Sequence, residues 1–296
     1  MLAVIPTSGC LLHTHRLEER YSKAPLKVAT REQLIDLVNQ QADAIHSLKA
    51  TVDIDASAGG VKKGEITDYK EIRGYILARK PGELHMVGLM PIVRTTAFEV
   101  VSNGTQFELW IPPKNRFVVG LESVPSPNTD KPMENIRPQN IYDALLIHHI
   151  DPETELVVLD DNGYQILHDA KGHRILQPDY ELIVIELGRT PRLSRKIIFG
   201  RADLKIDRQY TYGADGKLVT DSRYANYKPF DGISYPSSIE VNLPQEEYDF
   251  TFHMLKVEVN QPLTDAQFVL EQPAGAEVIH LDRQQSSIAE QPEAGH

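Results

Sequence analysis

Apolar residues along this chain fall into two kinds of pattern, one of period near 3.6 in two short stretches and one of period two almost everywhere else. The first helical stretch opens on Thr30-Arg31-Glu32-Gln33, a capping box in which Thr30 can accept from the Gln33 amide while Gln33 reaches back. From there Leu34, Val38, Ala42, Ile45 and Leu48 recur at spacings of four and three. Arg31, Asp36, Gln40, Asp43 and Lys49 take the other face. An amphipathic helix over 31–49, lying on something apolar, is predicted.

After Ala50 the period switches to two, with Val52 and Ile54 between Thr51, Asp53 and Asp55, and a Gly59-Gly60 turn follows. Strands are expected at 67–79, 83–89, 95–102, 105–111 and 116–119. Asn103-Gly104 between two of them predicts a tight type I′ hairpin. Pro138 suits the first turn of a second helix, 138–147, in which Ile141, Leu145 and Tyr142 share a face. It follows a long polar loop, 123–135. Eight more strands are expected, at 155–159, 165–168, 180–187, 192–199, 204–212, 218–227, 238–242 and 249–259, punctuated by turns such as Asp161-Asn162-Gly163.

The fold class is therefore mainly β, a large antiparallel sheet with few helices. So long a sheet curls under its own twist. A half-open barrel is expected, with the two helices plugging its concave face. Alternation puts Phe107, Leu109 and Ile111 on one face, with Glu108 and Trp110 on the other, and a similar row runs Ile183, Ile185, Leu187. Such rows line either a solid core or a hollow, and periodicity does not choose between them. The hollow, if present, is expected to be lined by Leu34, Val38, Ile45, Phe98, Phe107, Leu109, Ile111, Ile141, Leu145, Ile183 and Ile185. It needs no catalytic group to hold lipid, since half of a sixteen-carbon acyl chain is worth about 6 kcal/mol on burial.

Composition narrows the function. With 296 residues, 41% apolar and 25% charged, the chain can bury a sizeable core. A net charge of −11 without a basic block argues against nucleic acid as a partner and against electrostatic docking on anionic lipid. No GxSxG, HExxH, P-loop or GxGxxG motif is present, so an enzyme is not expected. His148-His149 beside Asp151 reads as a solvated helix end and Asp160-Asp161 as turn chemistry, and no metal or other cofactor is expected.

The one cysteine, Cys10, excludes an intrachain disulfide and Cys-based zinc sites. It closes MLAVIPTSGC, an apolar run ending in small residues and too short to span a membrane. That is the form of a bacterial lipobox, in which cleavage of a signal exposes a cysteine for lipidation. Thr7 at −3 and the absence of a basic n-region depart from that form, and leave open a start upstream of Met1. An inert thiol near a frayed terminus is the alternative. On this reading residues 1–10 are a signal remnant, 11–29 a tether, 30–281 the domain and 282–296 a disordered polar tail. His13 and His15 in the tether are expected to face solvent.

The segment ELHMVGLMPIVRTTAFEV (83–100), then Asn103-Gly104-Thr105-Gln106-Phe107-Glu108-Leu109, resembles the LolA/LolB-like outer-membrane lipoprotein-sorting group. A strand ends in an apolar turn around a proline, and a strand, a hairpin and another strand follow. The order of lipobox, helix, meander, second helix and further strands resembles that group too, as does a closing D..F....P.G..V pattern met by Asp265, Phe268, Pro273, Gly275 and Val278.

The resemblance implies a periplasm-facing protein of the cell envelope, lipid-anchored to the outer membrane, that binds acyl chains of lipoproteins or other lipids and helps deliver them. Its implied partners are those acyl chains, the outer-membrane bilayer and a periplasmic lipoprotein chaperone. In lipid-anchored LolB-type receptors an aliphatic residue after the proline of the apolar turn inserts into the membrane. The matching residue here is Ile92, flanked by Leu89, Met90 and Val93. A turn folded back onto its own core is the alternative. The longer segment at 150–180 departs from the compact LolB pattern, so a lipid-sensing or scaffolding lipoprotein of the same fold is the second reading.

Overall fold

The structure is a computed structural model that describes residues 20–22, 24–60, 64–123, 136–168 and 171–281. The expectations for residues 1–10 with Cys10, for most of the 11–29 tether with His13 and His15, for most of the 123–135 loop and for the 282–296 tail lie outside them.

Among the described residues sixteen strands join one curled, open sheet. In chain order they are β1 (Arg20–Tyr21), β2 (Ser47–Gly60), β3 (Glu65–Arg79), β4 (Glu83–Leu89), β5 (Thr96–Ser102), β6 (Gln106–Ile111), β7 (Arg116–Leu121) and β8 (Glu155–Asp160). Then come β9 (Tyr164–His168), β10 (Arg174–Glu186), β11 (Arg192–Gly200), β12 (Ile206–Tyr212), β13 (Leu218–Phe230), β14 (Ile233–Leu243), β15 (Tyr248–Val259) and β16 (Glu277–His280). The central path runs β10 to β15 in order, then β2 to β7, and β15 pairs with β2 to join the two wings. Every pairing is antiparallel except β1 on β10 and β16 on β7, which make the sheet mixed where a wholly antiparallel one was expected. β8 and β9 both pair with β10 and form an outer edge.

Two α-helices, α1 (Arg31–Ala44) and α2 (Pro138–Leu145), pack on the inner face. α2 touches β4 and β5 on one wing and β13 and β14 on the other, so it bridges the curl. The capping box forms as read from the sequence: the Gln33 amide donates to Thr30 Oγ1 and the Thr30 amide to Gln33 Oε1. The helix stops at Ala44, five residues short of the expected 49. The reason is remote in sequence. Asn260, just past β15, donates to the Ala44 carbonyl at 2.8 Å and accepts from the His46 amide at 2.8 Å. Residues from Ser47 then pair with β3 and β15, so Ile45 and Leu48 are buried as expected, but from extended backbone.

Two glycines sit opposite one another, Gly74 on β3 and Gly88 on β4. A Cβ on Gly88 would lie 2.2 Å from Phe98 Cε1, and one on Gly74 would lie 2.6 Å from Ile54 Cδ1. Side chains of the adjoining strands occupy the space the glycines leave. The β5–β6 hairpin forms where Asn103-Gly104 placed it, but not as a type I′ turn. Gly104 alone of the two has positive φ, and Asn103 Oδ1 accepts from the Thr105 and Gln106 amides. The asparagine side chain supplies the turn that its backbone was expected to make.

Candidate functional site

Two features stand out: an apolar tip on the β4–β5 connection, and a cleft beside the ends of both helices.

The tip is built by Met90-Pro91-Ile92-Val93-Arg94. The Met90 amide donates to the Thr95 carbonyl at 2.7 Å and the Arg94 amide to the Met90 carbonyl at 3.1 Å, closing the loop at its base. Inside it the Val93 amide donates to the Pro91 carbonyl at 2.8 Å, with Ile92 between them at φ +69. That is the γ-turn of positive φ, a strained conformation that a β-branched residue rarely adopts. It throws the Ile92 side chain outward: Ile92 is 96% exposed and Val93 65%. Met90 is also exposed and Leu89 is half-buried. The turn therefore does not fold back onto the core. Arg94, also at positive φ, is exposed beside them.

The cleft is small, with room for about one water molecule. Gln41, Ala42 and Ile45 from the end of α1 form one wall, residues 145–147 from the exit of α2 form the other, and Lys80 and Tyr235 complete it. Tyr235 Oη donates to the Leu145 carbonyl at 2.9 Å. Lys80 Nζ donates to the Ala42 carbonyl, one of the carbonyls that the last helical turn leaves without a helical partner. Burial pushes the Lys80 ammonium below the usual lysine range, with Asp43 acting weakly the other way.

The helices are tied down by polar contacts as well as by packing. Asn39 of α1 accepts from the Ile150 amide at 2.8 Å and donates to the Ile150 carbonyl at 3.2 Å. Arg195 on β11 donates to the carbonyls of His148 and His149, each at 2.8 Å, and pairs with Glu155 at 3.0 Å. His148 also reaches Asp143 at 2.8 Å, so the exposed His148-His149 pair closes α2. Asp160 accepts from the Asn162 amide, as a turn residue does. No three His, Cys, Asp or Glu side chains among the described residues gather as a metal site.

Under α2 the sheet is polar. Gln209 on β12 and Ser222 on β13 face one another across the ladder, and Tyr224 lies two residues on. All three are buried; Gln209 Nε2 donates to the Asp143 carbonyl of α2 at 3.4 Å, and the Ser222 hydroxyl hydrogen-bonds that of Tyr224. Hydrophobic alternation carries no sign of these contacts.

The residues expected to line a hollow divide sharply. Leu34, Val38, Ile45, Phe98, Phe107, Leu109, Ile111, Ile141 and Leu145 come together in one cluster, each between 0% and 8% exposed. Side chains around a space wide enough for a hydrocarbon tail would be accessible from within, so in this conformation these fill the interior themselves. Ile45 and Leu145 also border the cleft. It has room for about one water molecule, far below the 300–1,000 Å³ usual for ligand sites. The expectation of a preformed acyl-sized hollow bounded by these residues is corrected accordingly.

Ile183 and Ile185 are not in the cluster. The buried row on β10 is Tyr180, Leu182 and Val184, while Ile183 and Ile185 turn to the opposite face, beside Val158 and Leu156 of β8. Both faces of this strand are apolar, so alternation could not select the inward one.

No protein-family model matches the chain, and no curated protein matches its sequence. Solved structures do resemble it. A DUF1329 family protein from Desulfovibrio piger has 14% identity and a TM-score of 0.50, covering 80% of this chain and 96% of its own. A LolA superfamily protein from Nitrosomonas europaea has 11% identity and a TM-score of 0.46, covering 82% and 99%. A Vibrio parahaemolyticus domain assigned to outer-membrane lipoprotein sorting has 12% identity and a TM-score of 0.46, covering 80% and 94%. At 14% identity, what the chain shares with the DUF1329 family protein is the fold.

Proposed function

We propose that this chain is a lipid-handling protein of the cell envelope that docks on a bilayer through the β4–β5 tip. The observation that carries this reading is Ile92, an aliphatic side chain 96% exposed on a strained turn with Val93 exposed beside it. An exposed β-branched residue at positive φ costs about 1–3 kcal/mol of strain, which a merely structural loop has no reason to keep. Burying Ile92 and Val93 in acyl chains returns roughly 1.5–3 kcal/mol each. Arg94 is placed to meet lipid phosphate at the same depth. The resemblance of 83–109 to LolA/LolB-like proteins, in which the residue matching Ile92 inserts into the membrane, supports the same role.

Lipidation at Cys10 supplies the second membrane signal that this reading needs. A single weak insertion gives only reversible binding, whereas a covalent acyl anchor together with the tip gives stable attachment. Acyl chains of lipoproteins or other lipids are then received at the tip and passed inward between the helices and the sheet, which must part to admit them. No helix among the described residues is long and apolar enough to cross a membrane. No catalytic role is proposed.

Flotation with phospholipid vesicles tests the docking role. Protein without the acyl anchor (Cys10→Ser) should float in part, through reversible binding of the tip alone, and Ile92→Glu in that background should stay in the dense fraction with its fold unchanged. Equal flotation of the two proteins would remove the tip from membrane docking.

A further inference from the structure

Past β15 the chain crosses the sheet on the face away from the core, as a strap that runs through a 3-10 turn, Asp265–Phe268, to β16 beside β7. Two side chains of the sheet fasten it. Arg79 on β3 donates to the Leu263 carbonyl at 2.8 Å and to Asp265 at 2.7 Å, with its guanidinium over the Phe268 ring. His85 on β4 is half-buried, alternates with the core residues Leu84 and Met86, and has both ring nitrogens engaged. Nδ1 lies 2.6 Å from the Gln267 carbonyl of the strap, and Nε2 lies 2.8 Å from the Glu99 carboxylate of β5.

Both partners accept and neither donates. A neutral imidazole has a single N–H, so between a carbonyl and an ionised carboxylate it satisfies one contact and not both. We infer that His85 fastens the strap as a doubly protonated imidazolium, and that loss of one ring proton undoes the fastening. The result is a proton-sensitive clasp across the two strands that carry the apolar tip, and it stands apart from the lipid-handling reading.

The surroundings leave the pair to itself. Leu77 on β3 and Val101 on β5 stand opposite His85 in the ladders. Glu83 and Arg79 hold each other, and Arg79 also holds Asp265 of the strap. Glu108 on β6 stands opposite Val101, and Tyr75 on β3 opposite Val87. Among the described residues His85 is the one cation paired with Glu99. A hydrogen bond between two charged groups is roughly twice as strong as a neutral one, so the clasp is firmest where the ring is charged. The strap is therefore held best in acid and loosens as pH rises through about 5 to 8, the range in which histidines change charge.

Proton–nitrogen correlation NMR of the ring and hydrogen exchange of amides 264–268 test this on the full chain. At about pH 5.5 both ring nitrogens should show imidazolium shifts and the strap should be protected. At about pH 8, after correction for intrinsic rates, exchange in the strap should quicken about fivefold or more. Glu99→Gln should keep the strap closed at both pH values, because a glutamine amide donates to the bare Nε2 of a neutral ring while Nδ1 keeps the Gln267 carbonyl. His85→Gln should make exchange in the strap independent of pH.

A neutral ring on the closed strap in acid overturns the proposal, as does exchange that ignores pH in the wild type, and neither result needs a variant to fold. A pH response that persists in His85→Gln also overturns it, since the response then belongs to Glu108 or to carboxyls elsewhere in the sheet. So does a Glu99→Gln strap that still opens at the higher pH.

Discussion

The Tyr235 hydroxyl on β14 donates to the Leu145 carbonyl at the end of α2, fastening the bridging helix to the sheet at the point where both residues border the cleft. The bond is buried, so its loss leaves a carbonyl without its partner at a cost of roughly 1–3 kcal/mol. Tyr235→Phe should therefore loosen α2 while the sheet stays intact. Hydrogen exchange is expected to quicken about tenfold or more at amides 142–147 and to stay as in the wild type on β2 and β15. Unchanged exchange at α2 would show that packing alone holds it.

The contact between Gly88 and Phe98 sets a second expectation. With Phe98 Cε1 2.2 Å from where a Cβ would stand, Gly88→Ala must displace the ring that packs over the glycine. A loss of about 1–3 kcal/mol in urea unfolding is expected, as for other overpacked cores. Phe98→Leu in the same chain should restore part of it. A neutral Gly88→Ala would mean that the ring has room to move.

Stability should also depend on pH through two carboxyls, the buried Asp179 and the half-buried Asp207. Burial, then the charges of Glu181, Asp207 and Asp160, push Asp179 up to about 6 from an ordinary 3.8. Burial, then Asp203, pushes Asp207 up to about 6 despite the hydrogen bond from Gln165. The fold thus favours their neutral forms. Their stabilising contribution is complete below pH 3.8 and is lost as pH rises through about 6. Asp179→Asn keeps the neutral shape at every pH, so it should gain roughly 1–3 kcal/mol over wild type at pH 7.5 and nothing near pH 4. Thermal unfolding across that range measures it, and a gain independent of pH would exclude this cause.

At the tip, Ile92→Gly separates strain from docking. Glycine adopts φ near +69 without steric cost, so the variant should match or exceed wild-type stability by about 1 kcal/mol. It should still lose vesicle binding, because the inserting side chain is gone. Retained binding would assign docking to Val93 and Met90 instead.

Much of this architecture was legible in the sequence because local pattern and tertiary placement agree there. Thr30 and Gln33 form the capping box their spacing announces, and Phe107, Leu109 and Ile111 face inward as their alternation requires. Where the outcome depended on distant partners, pattern failed. Asn260 ends α1 from more than 200 residues away. Ile183 and Leu182 are equally apolar, and pairing with β8 and β11 decided which of them was buried.

The site shows the same division. An apolar turn around Pro91 is visible as a run of residues, whereas Lys80 beside Ala42, and Gln209 beneath α2, are brought together by folding from separate stretches of chain. Whether inward rows enclose space or fill it depends on side-chain volume in three dimensions, which periodicity does not encode.

Membrane insertion of Ile92 is tested most directly by depth. With Cys10→Ser as background, an environment-sensitive fluorophore on Ile92→Cys should be quenched by nitroxides carried on lipid acyl chains. The same label on Thr105→Cys, in the β5–β6 hairpin at the opposite end of β5 from the tip, should be quenched only by nitroxides in water. Quenching at position 92 that matches position 105 would place the tip in solvent and contradict bilayer docking.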